Sequence, residues 1–140
     1  MKRMRLLIID DNTQLAKVTA TLLRQIDQSS REIETISSAA DLDAAMRLLP
    51  QHDAVLCDGQ FPVSPNFCYR DDQWIAVHRE AVNRGMLFIL YSGSPESLSD
   101  ATSKGVPTIA KPCRIERLYQ VLMEHWRDLR PAAVSFEARH

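Results

Sequence analysis

An unbroken apolar run, Leu-Leu-Ile-Ile at residues 6–9, passes directly into two aspartates, Asp10 and Asp11. A run without polar alternation is typical of a strand that is covered on both faces, as in a parallel sheet. In open parallel sheets, ligands bind beyond the carboxyl ends of the strands. The first strand is therefore predicted to place two carboxylates at the edge where such folds hold their functional sites.

Three later apolar runs repeat this pattern, and each ends in a single residue with an ionisable or hydroxyl side chain. These three residues are Asp58, Ser92 and Lys111. A further segment at residues 32–37 is rich in β-branched residues and alternates in polarity, which predicts a strand near an edge of the sheet. The chain is thus predicted to contain five strands, four of which end in a candidate site residue.

The segments between these strands carry helical patterns. We expect Asp11 or Asn12 to cap the first helix, Ser38 to cap the second and Pro131 to end the last. Apolar residues spaced three and four apart give the first helix one apolar stripe. The stripe consists of Leu15, Val18, Leu22 and Ile26.

Five strands that alternate with five helices predict an α/β fold, because short right-handed connections then give one parallel sheet with helices on both faces. The chain has 140 residues, with 45% apolar and 25% charged residues, which suits one folded domain with a substantial core. We expect a domain over residues 1–130 and a C-terminal tail over residues 131–140. No second domain is expected to follow.

Net charge, hydrophobicity and cysteine content limit the partners, the location and the disulfide content that we expect. A net charge of -1 gives no electrostatic reason to expect nucleic acid or an anionic membrane surface as a direct partner. No apolar run approaches the roughly 20 residues that span a bilayer, so a cytoplasmic location is predicted. Cys57, Cys68 and Cys113 form no paired motif, which argues against a disulfide framework, and Cys57 is predicted to be a core residue.

The carboxyl ends of the predicted strands bring the candidate site residues to one edge of the sheet. Three carboxylates that lie close together repel each other, and a cation allows all three to stay ionised. Oxygen ligands at a water-accessible edge suit Mg²⁺. A lysine and a hydroxyl opposite the metal would hold a tetrahedral dianion, so the pattern predicts phosphoryl transfer with a carboxylate as nucleophile. The five residues are Asp10, Asp11, Asp58, Ser92 and Lys111.

Four short motifs, each at a predicted strand end, carry a resemblance to a known family. They are Ile-Ile-Asp-Asp-Asn at 8–12, Leu-Cys-Asp-Gly at 56–59, Tyr-Ser-Gly at 91–93 and Ala-Lys-Pro at 110–112. With these motifs in this order, the sequence resembles the response regulator receiver domains of two-component signalling, similar to the single-domain chemotaxis type, over about residues 4–129. The resemblance implies a flavodoxin-like (βα)5 fold with strand order 2-1-3-4-5.

The resemblance implies a role for each acidic residue. Asp58 matches the phosphoacceptor, which takes a phosphoryl group from a phosphohistidine on a sensor histidine kinase or a histidine phosphotransfer protein. Asp10 and Asp11 match the pair that holds Mg²⁺, with Asp11 favoured as the direct ligand. Gln60 stands where the family supplies a backbone carbonyl to the metal.

The remaining matches concern the response to phosphorylation. Ser92 matches the hydroxyl that moves toward the phosphoryl group, and Lys111 matches the lysine that pairs with a phosphoryl oxygen. Pro112 follows that lysine, where the family has a cis peptide bond. Two features depart from the family: Thr108 stands where an aromatic residue is usual, and the loop over residues 59–70 is longer than usual.

Simpler interpretations remain for each residue alone. Asp10 and Asp11 could be helix caps, Asp58 a turn residue, Lys111 a solvated charge and Ser92 an ordinary strand terminus. Their joint arrangement favours the phosphoacceptor site.

At the level of the whole chain, we expect a stand-alone receiver, with self-phosphorylation and slow self-dephosphorylation as its only catalysis. Its output would pass through an unknown downstream protein or through self-association, for example as a homodimer. One alternative is a small Mg²⁺-dependent phosphohydrolase of the haloacid-dehalogenase kind, although its nucleophile lies in an Asp-x-Asp motif and the two acids here are adjacent. Another is a degenerate receiver that binds a partner without phosphorylation, for which Thr108 and the unusual loop are the only support.

Overall fold

A computed structural model describes residues 2–65, 69–70 and 72–138 of the chain. The apolar runs form strands, and the periodic segments between them form helices. In chain order the elements are β1 (Met4–Ile9), α1 (Thr13–Ile26), β2 (Ile33–Ala39), α2 (Leu42–Leu48), a 3-10 turn (Leu49–Gln51), β3 (Ala54–Cys57), β4 (Phe61–Pro62), β5 (Tyr69–Arg70), α3 (Gln73–Asn83), β6 (Leu87–Ser92), α4 (Pro95–Ser103), β7 (Thr108–Ala110) and α5 (Ile115–Ala138).

Five of the strands form one parallel sheet in the order β2-β1-β3-β6-β7. Counted among the parallel strands alone, this is the predicted order 2-1-3-4-5, and β2 is an edge strand as expected. The interior strands β1, β3 and β6 are buried along most of their length because helices cover both faces of the sheet. The predicted flavodoxin-like fold class is therefore confirmed.

Successive side chains along each strand point to opposite faces of the sheet and so pack into two separate cores. Leu6 and Ile8 of β1 pack on one face of the sheet with residues of α1 and α5. Leu7 and Ile9 pack on the other face with residues of α2, α3 and α4. Cys57 lies in this second core and is fully buried, as predicted. Each apolar residue from Leu6 to Ile9 thus has a place to pack, which is the reason for the unbroken run.

The buried face of α1 differs from the predicted stripe. Ala16, Thr19 and Leu23 are buried, whereas Val18 is 52% exposed. The other exposed large apolar residues of α1 are Leu15 and Leu22. The predicted stripe is therefore mostly at the surface: Ile26 is half-buried, and its other three residues are exposed.

The predicted cap of α2 is wrong, whereas one of the caps predicted for α1 is confirmed. The cap of α2 is Asp41, whose side chain accepts a hydrogen bond from the Ala44 N–H at 2.8 Å, because β2 continues to Ala39 and passes through the predicted cap Ser38. Asn12 caps α1 by accepting a hydrogen bond from the Leu15 N–H at 3.0 Å, which confirms one of the two predicted caps.

Helix α5 does not end at Pro131 but continues to Ala138. A proline inside a helix removes only one backbone donor and does not have to end it. The division into a domain over residues 1–130 and a tail over residues 131–140 stays a prediction. Among the helices that the structure describes, none has the length and hydrophobicity needed to cross a bilayer.

The segment over residues 59–70, predicted as a loop, contains two short antiparallel strands, β4 and β5. Phe61 of β4 is fully buried in the core beneath α2 and α3. The Val63 carbonyl accepts a hydrogen bond from the Asp43 N–H of α2 at 3.0 Å, so the segment is tied to the body of the domain. Pro62 of β4 did not prevent pairing because a two-strand ribbon leaves edge positions open.

Among the described cysteines, Cys57 and Cys113 carry free thiols. Cys68 lies outside the described residues, as do Phe67 and Asp71.

Candidate functional site

The carboxyl ends of β1, β3, β6 and β7 meet at one edge of the sheet and surround a cleft of about 400 Å³. The parallel arrangement places every strand end on the same side, so residues far apart in sequence become neighbours. The cleft is lined by Asp11, Asp58, Gln60, Ser92, Gly93, Ser94 and Lys111. All the predicted site residues therefore lie in or directly beside one cleft, although their roles stay predictions.

The three carboxylates form a compact cluster. Asp10, Asp11 and Asp58 each place one oxygen within 4.8 Å of the others. Asp10 is nearly buried, and its Oδ1 accepts a hydrogen bond from the Asn12 N–H at 2.9 Å. The Gly59 N–H donates to Asp58 Oδ1 at 2.8 Å. These backbone donors hold two carboxylates in fixed orientations at the floor of the cleft.

Lys111 provides a cation beside this cluster. Its Nζ lies 3.0 Å from Asp10 Oδ2 and 3.7 Å from Asp58 Oδ1. One ammonium beside three ionised carboxylates leaves two uncompensated negative charges. The peptide bond between Lys111 and Pro112 is cis, as the resemblance implied.

The donor set fits a hard divalent cation. Carboxylate oxygens are the ligands that Mg²⁺ prefers, and the exposed side of the cluster leaves room for the waters that this ion retains. The Gln60 residue also lines the cleft. Asp10, Asp11 and Asp58 could therefore hold Mg²⁺, and the excess of two negative charges matches the charge of the ion.

Electrostatics of the cleft act most strongly on Asp58. The pKa of the Asp58 carboxyl is raised from 3.8 to about 6, mainly by burial and also by the neighbouring Asp10 and Asp11, while Lys111 and the Gly59 N–H act in the opposite direction. Desolvation and like charges both disfavour the ionised form, which explains the direction of the change. A positive charge beside Asp58 would therefore favour its ionised form.

Ser92 places its hydroxyl at the wall of the cleft. It is nearly fully buried, and its Oγ accepts a hydrogen bond from the Ser94 N–H at 3.0 Å. A Cβ atom on Gly59 would lie 2.6 Å from Ser92 Oγ and 2.9 Å from Ser97 Oγ. Gly59 is therefore needed for the close approach of β3, β6 and α4, a role that the sequence analysis missed although the glycine directly follows Asp58.

Tyr91 is the second residue that the sequence analysis missed. Its ring lies beneath the ammonium of Lys111, with Nζ 4.9 Å from the ring centroid. An aromatic residue one position before a predicted site residue was the available signal, but its direction toward Lys111 depends on the neighbouring strand.

No family model matches the sequence, and no curated protein is sufficiently similar to it to count as a relative. Solved structures do match. The CheY-like response regulator receiver domain protein from Methanospirillum hungatei has a TM-score of 0.68 at 20% identity, covering 94% of this chain and 99% of that chain. The Vibrio cholerae chemotaxis protein CheY4 has a TM-score of 0.64 at 18% identity, covering 87% and 98%.

The chain has the receiver-domain fold. The same fold forms part of a larger protein, NtrX from Brucella abortus in complex with ATP, for which the TM-score is 0.74 at 20% identity, with 96% of this chain and 29% of that chain covered. At such identities the similarity establishes the receiver fold alone. The chemistry of this chain has to be argued from its own side chains.

Proposed function

We propose that this chain is a response regulator receiver that accepts a phosphoryl group on Asp58 in a Mg²⁺-dependent reaction. The observation that carries this proposal is the composition of the cleft. A cluster of three carboxylates lies within 4.8 Å, and the ammonium of Lys111 contacts Asp10 and Asp58 from the side. Ser92 adds a hydroxyl to the same wall. This is the set of groups that phosphoryl transfer to a carboxylate requires.

In the proposed reaction, an oxygen of Asp58 attacks the phosphorus of a phosphohistidine. The new P–O bond forms as the P–N bond breaks, and the electron pair of that bond stays on the imidazole nitrogen. Lys111 pairs with a phosphoryl oxygen, and the Ser92 hydroxyl donates to another. Mg²⁺, when bound, supplies further compensation of the negative charge. With a pKa of about 6, Asp58 is largely ionised at neutral pH and ready to act as nucleophile.

The direct test is incubation with Mg²⁺ and a small phosphoryl donor such as phosphoramidate, followed by intact mass measurement. The wild-type chain should gain the mass of one phosphoryl group, and Asp58→Ala should gain none. Asp100→Asn changes an exposed acid of α4 that pairs with Lys104 and does not line the cleft; it serves as the matched control and should be labelled as the wild type is. Labelling that persists in Asp58→Ala would remove Asp58 from this role.

The same experiment separates the alternatives. Steady release of phosphate from small phosphate esters would favour a phosphohydrolase. A chain that neither binds Mg²⁺ nor becomes labelled would favour a receiver that acts without phosphorylation.

The exposed stripe on α1 suggests where a protein donor docks. Leu15, Val18 and Leu22 are exposed along a helix that begins at Thr13, two residues after Asp11 of the acidic pair. A kinase or phosphotransfer protein must bring its histidine to the same cleft, so its surface would pass over this end of α1. An apolar stripe that borders the site is suited to that contact.

We therefore expect Val18→Asp to slow transfer from a phosphohistidine-bearing phosphotransfer protein by about tenfold or more, the equivalent of about 1.4 kcal/mol or more of docking energy. Labelling by phosphoramidate should be unchanged, because a small donor needs no docking surface. Equal slowing with both donors would place the defect in the cleft itself and contradict the docking role.

The output of the proposed switch would begin at Ser92. Its Oγ accepts a hydrogen bond from the Ser94 N–H, and Ser94 in turn caps α4 through the Ser97 N–H at 3.3 Å. A Ser92 hydroxyl that turned toward a phosphoryl group would weaken this connection. Helix α4 buries only Ser97 and Ala101 fully, so its position would respond to a small change. Altered binding of a downstream protein, or self-association, would follow from that movement.

A further inference from the structure

Tyr91 occupies a distinctive position beside the cleft. It is the penultimate residue of β6, and its half-buried side chain packs on the face of the sheet that α1 and α5 cover. Its neighbour Ser92 faces the cleft. The face of the Tyr91 ring is turned to Lys111, whose Nζ lies 4.9 Å from the ring centroid. This distance is within the range of a cation–π interaction.

Three contacts surround the ammonium of Lys111. Asp10 Oδ2 lies at 3.0 Å and Asp58 Oδ1 at 3.7 Å, and the Tyr91 ring forms the third side. Both carboxylates also belong to the cluster that could hold a divalent cation. In the proposed reaction, moreover, Asp58 carries the phosphoryl group. Asp10 and Asp58 would therefore each also bind the cation or carry the phosphoryl group, whereas the Tyr91 ring would contact only Lys111.

We propose that Tyr91 is a positioning residue, whose ring face holds the Lys111 ammonium at the cleft while Asp10 and Asp58 engage the cation and the phosphoryl group. This inference rests on the proposed function. The ring attracts the ammonium through its quadrupole without neutralising its charge, so Lys111 keeps its full charge for a phosphoryl oxygen. Burial raises the pKa of the Tyr91 phenol above its ordinary value, so the ring stays neutral at working pH.

A purely space-filling role for Tyr91 makes different predictions. Met and Leu are apolar and fill much of the same space, but they offer no π face. Phe retains the face and loses only the hydroxyl. Tyr91→Phe, Tyr91→Leu and Tyr91→Met therefore separate positioning by the ring from packing alone.

The first measurement needs neither metal nor phosphoryl donor. A ring face shifts the NMR signal of nearby lysine ε-CH₂ protons upfield, and the Lys111 signal can be assigned by its loss in Lys111→Arg. We expect an upfield signal in the wild type and in Tyr91→Phe. In Tyr91→Leu and Tyr91→Met it should move to the position of an ordinary lysine.

The second measurement is the rate at which Asp58 is labelled by phosphoramidate over a series of Mg²⁺ concentrations. Tyr91→Leu and Tyr91→Met should lower the maximal rate by about two- to fivefold, equivalent to about 0.5–1 kcal/mol, and should leave the Mg²⁺ concentration for half-maximal rate unchanged. Tyr91→Phe should match the wild type. Tyr119→Leu, at a half-buried tyrosine of α5 that donates to Asp27, is the matched control and should be labelled at the wild-type rate.

Each outcome decides the proposal. Wild-type rates in folded Tyr91→Leu and Tyr91→Met, with Asp58 still labelled, would overturn the positioning role and leave the proposed function intact. A slow Tyr91→Phe would assign the effect to the hydroxyl and overturn the role of the ring face. Absence of labelling in the wild type would overturn both the proposed function and this role, whatever the lysine signal shows.

Discussion

Asp58 illustrates how a single side chain can be destabilising and useful at once. Its carboxyl is held among Asp10, Asp11 and Lys111 at the floor of the cleft, and burial raises its pKa to about 6. The ionised form of Asp58 would attack phosphorus, yet without a cation the folded protein is less stable with this form than with the protonated form. This conflict has a measurable consequence for stability.

In buffer without divalent cations, Asp58→Asn should raise the free energy of unfolding at pH 7.5. A pKa change from 3.8 to about 6 corresponds to about 3 kcal/mol, which screening of a partly exposed carboxylate reduces to about 1–2 kcal/mol. Between these two pH values the folded wild type holds a proton that the unfolded chain releases, so its stability falls as the pH rises. The advantage of Asp58→Asn should therefore grow from about pH 4 to about pH 6 and then stay constant.

Urea unfolding at several pH values measures this difference; the control Asp100→Asn, which loses only an exposed pair with Lys104, should change stability by no more than about 0.5 kcal/mol. An advantage of Asp58→Asn that grew toward acid would have the wrong sign and would contradict the raised pKa.

At Gly59 the absence of a side chain allows β3, β6 and α4 to approach closely beside the cleft. The Cβ of Gly59→Ala would meet Ser92 Oγ at 2.6 Å and Ser97 Cβ at 3.0 Å. The hydroxyl can rotate away, but the Ser97 Cβ can move only with α4. We expect a loss of about 1–3 kcal/mol in urea unfolding. Gly93→Ala is the matched control, because its Cβ would meet only Lys111 Cβ at an ordinary 3.8 Å; an equal loss in both variants would contradict the crowding argument.

Among the elements, α1 shows that an apolar stripe does not by itself identify a buried face. The helix carries a buried face with Ala16 and Leu23 toward the sheet, and a second apolar surface with Leu15, Val18 and Leu22 toward solvent. A hairpin replaces the predicted loop after β3, and its residue Phe61 adds to the core instead of covering the cleft. In both cases the neighbouring elements determine which side chains are buried.

The assignment of the α1 face can be tested by two truncations. Leu23→Ala should cost about 2–5 kcal/mol because Leu23 is fully buried between α1 and the sheet. Val18→Ala should change stability by no more than about 0.5 kcal/mol because Val18 is 52% exposed. Chemical denaturation of both variants measures the difference, and the reverse order would restore the face predicted from the sequence.

For the molecule as a whole, the cleft exists only when four strand ends are assembled. The unfolded chain separates Asp10 and Asp11 from Asp58, so it has no comparable site for a divalent cation. Binding to the folded state alone links the cation to global stability. Each short motif is a weak signal alone, but the four together predict one site because their strand ends meet at the same edge of the sheet.

We expect Mg²⁺ to raise the free energy of unfolding of the wild type, by about 2.7 kcal/mol at a concentration 100 times the Kd. Asp11→Asn should respond little, because it removes a ligand that faces the cleft without touching the contacts of Asp10 to Lys111 and Asn12. Thermal unfolding with added MgCl₂, compared with NaCl at equal ionic strength, measures this effect. Equal stabilisation by the two salts would contradict a specific cation site.

The sequence by itself determined the fold class, the strand order implied by its resemblance, and which residues stand at the strand ends. These features are local: an apolar run buried on both faces, followed by a polar residue, is recognisable without knowledge of its neighbours. The convergence of Asp10, Asp58 and Lys111 then follows because parallel strands share one carboxyl edge.

Only the tertiary structure decided the buried face of α1, the cap at Asp41, the pairing of β4 with β5, and the contacts of Gly59 and Tyr91. Each depends on the shape and distance of a neighbour that lies elsewhere in the chain. A helix with two apolar surfaces, or a ring beside a strand end, has several possible partners in sequence. Packing selects one of them, because only one arrangement fills the space between sheet and helices.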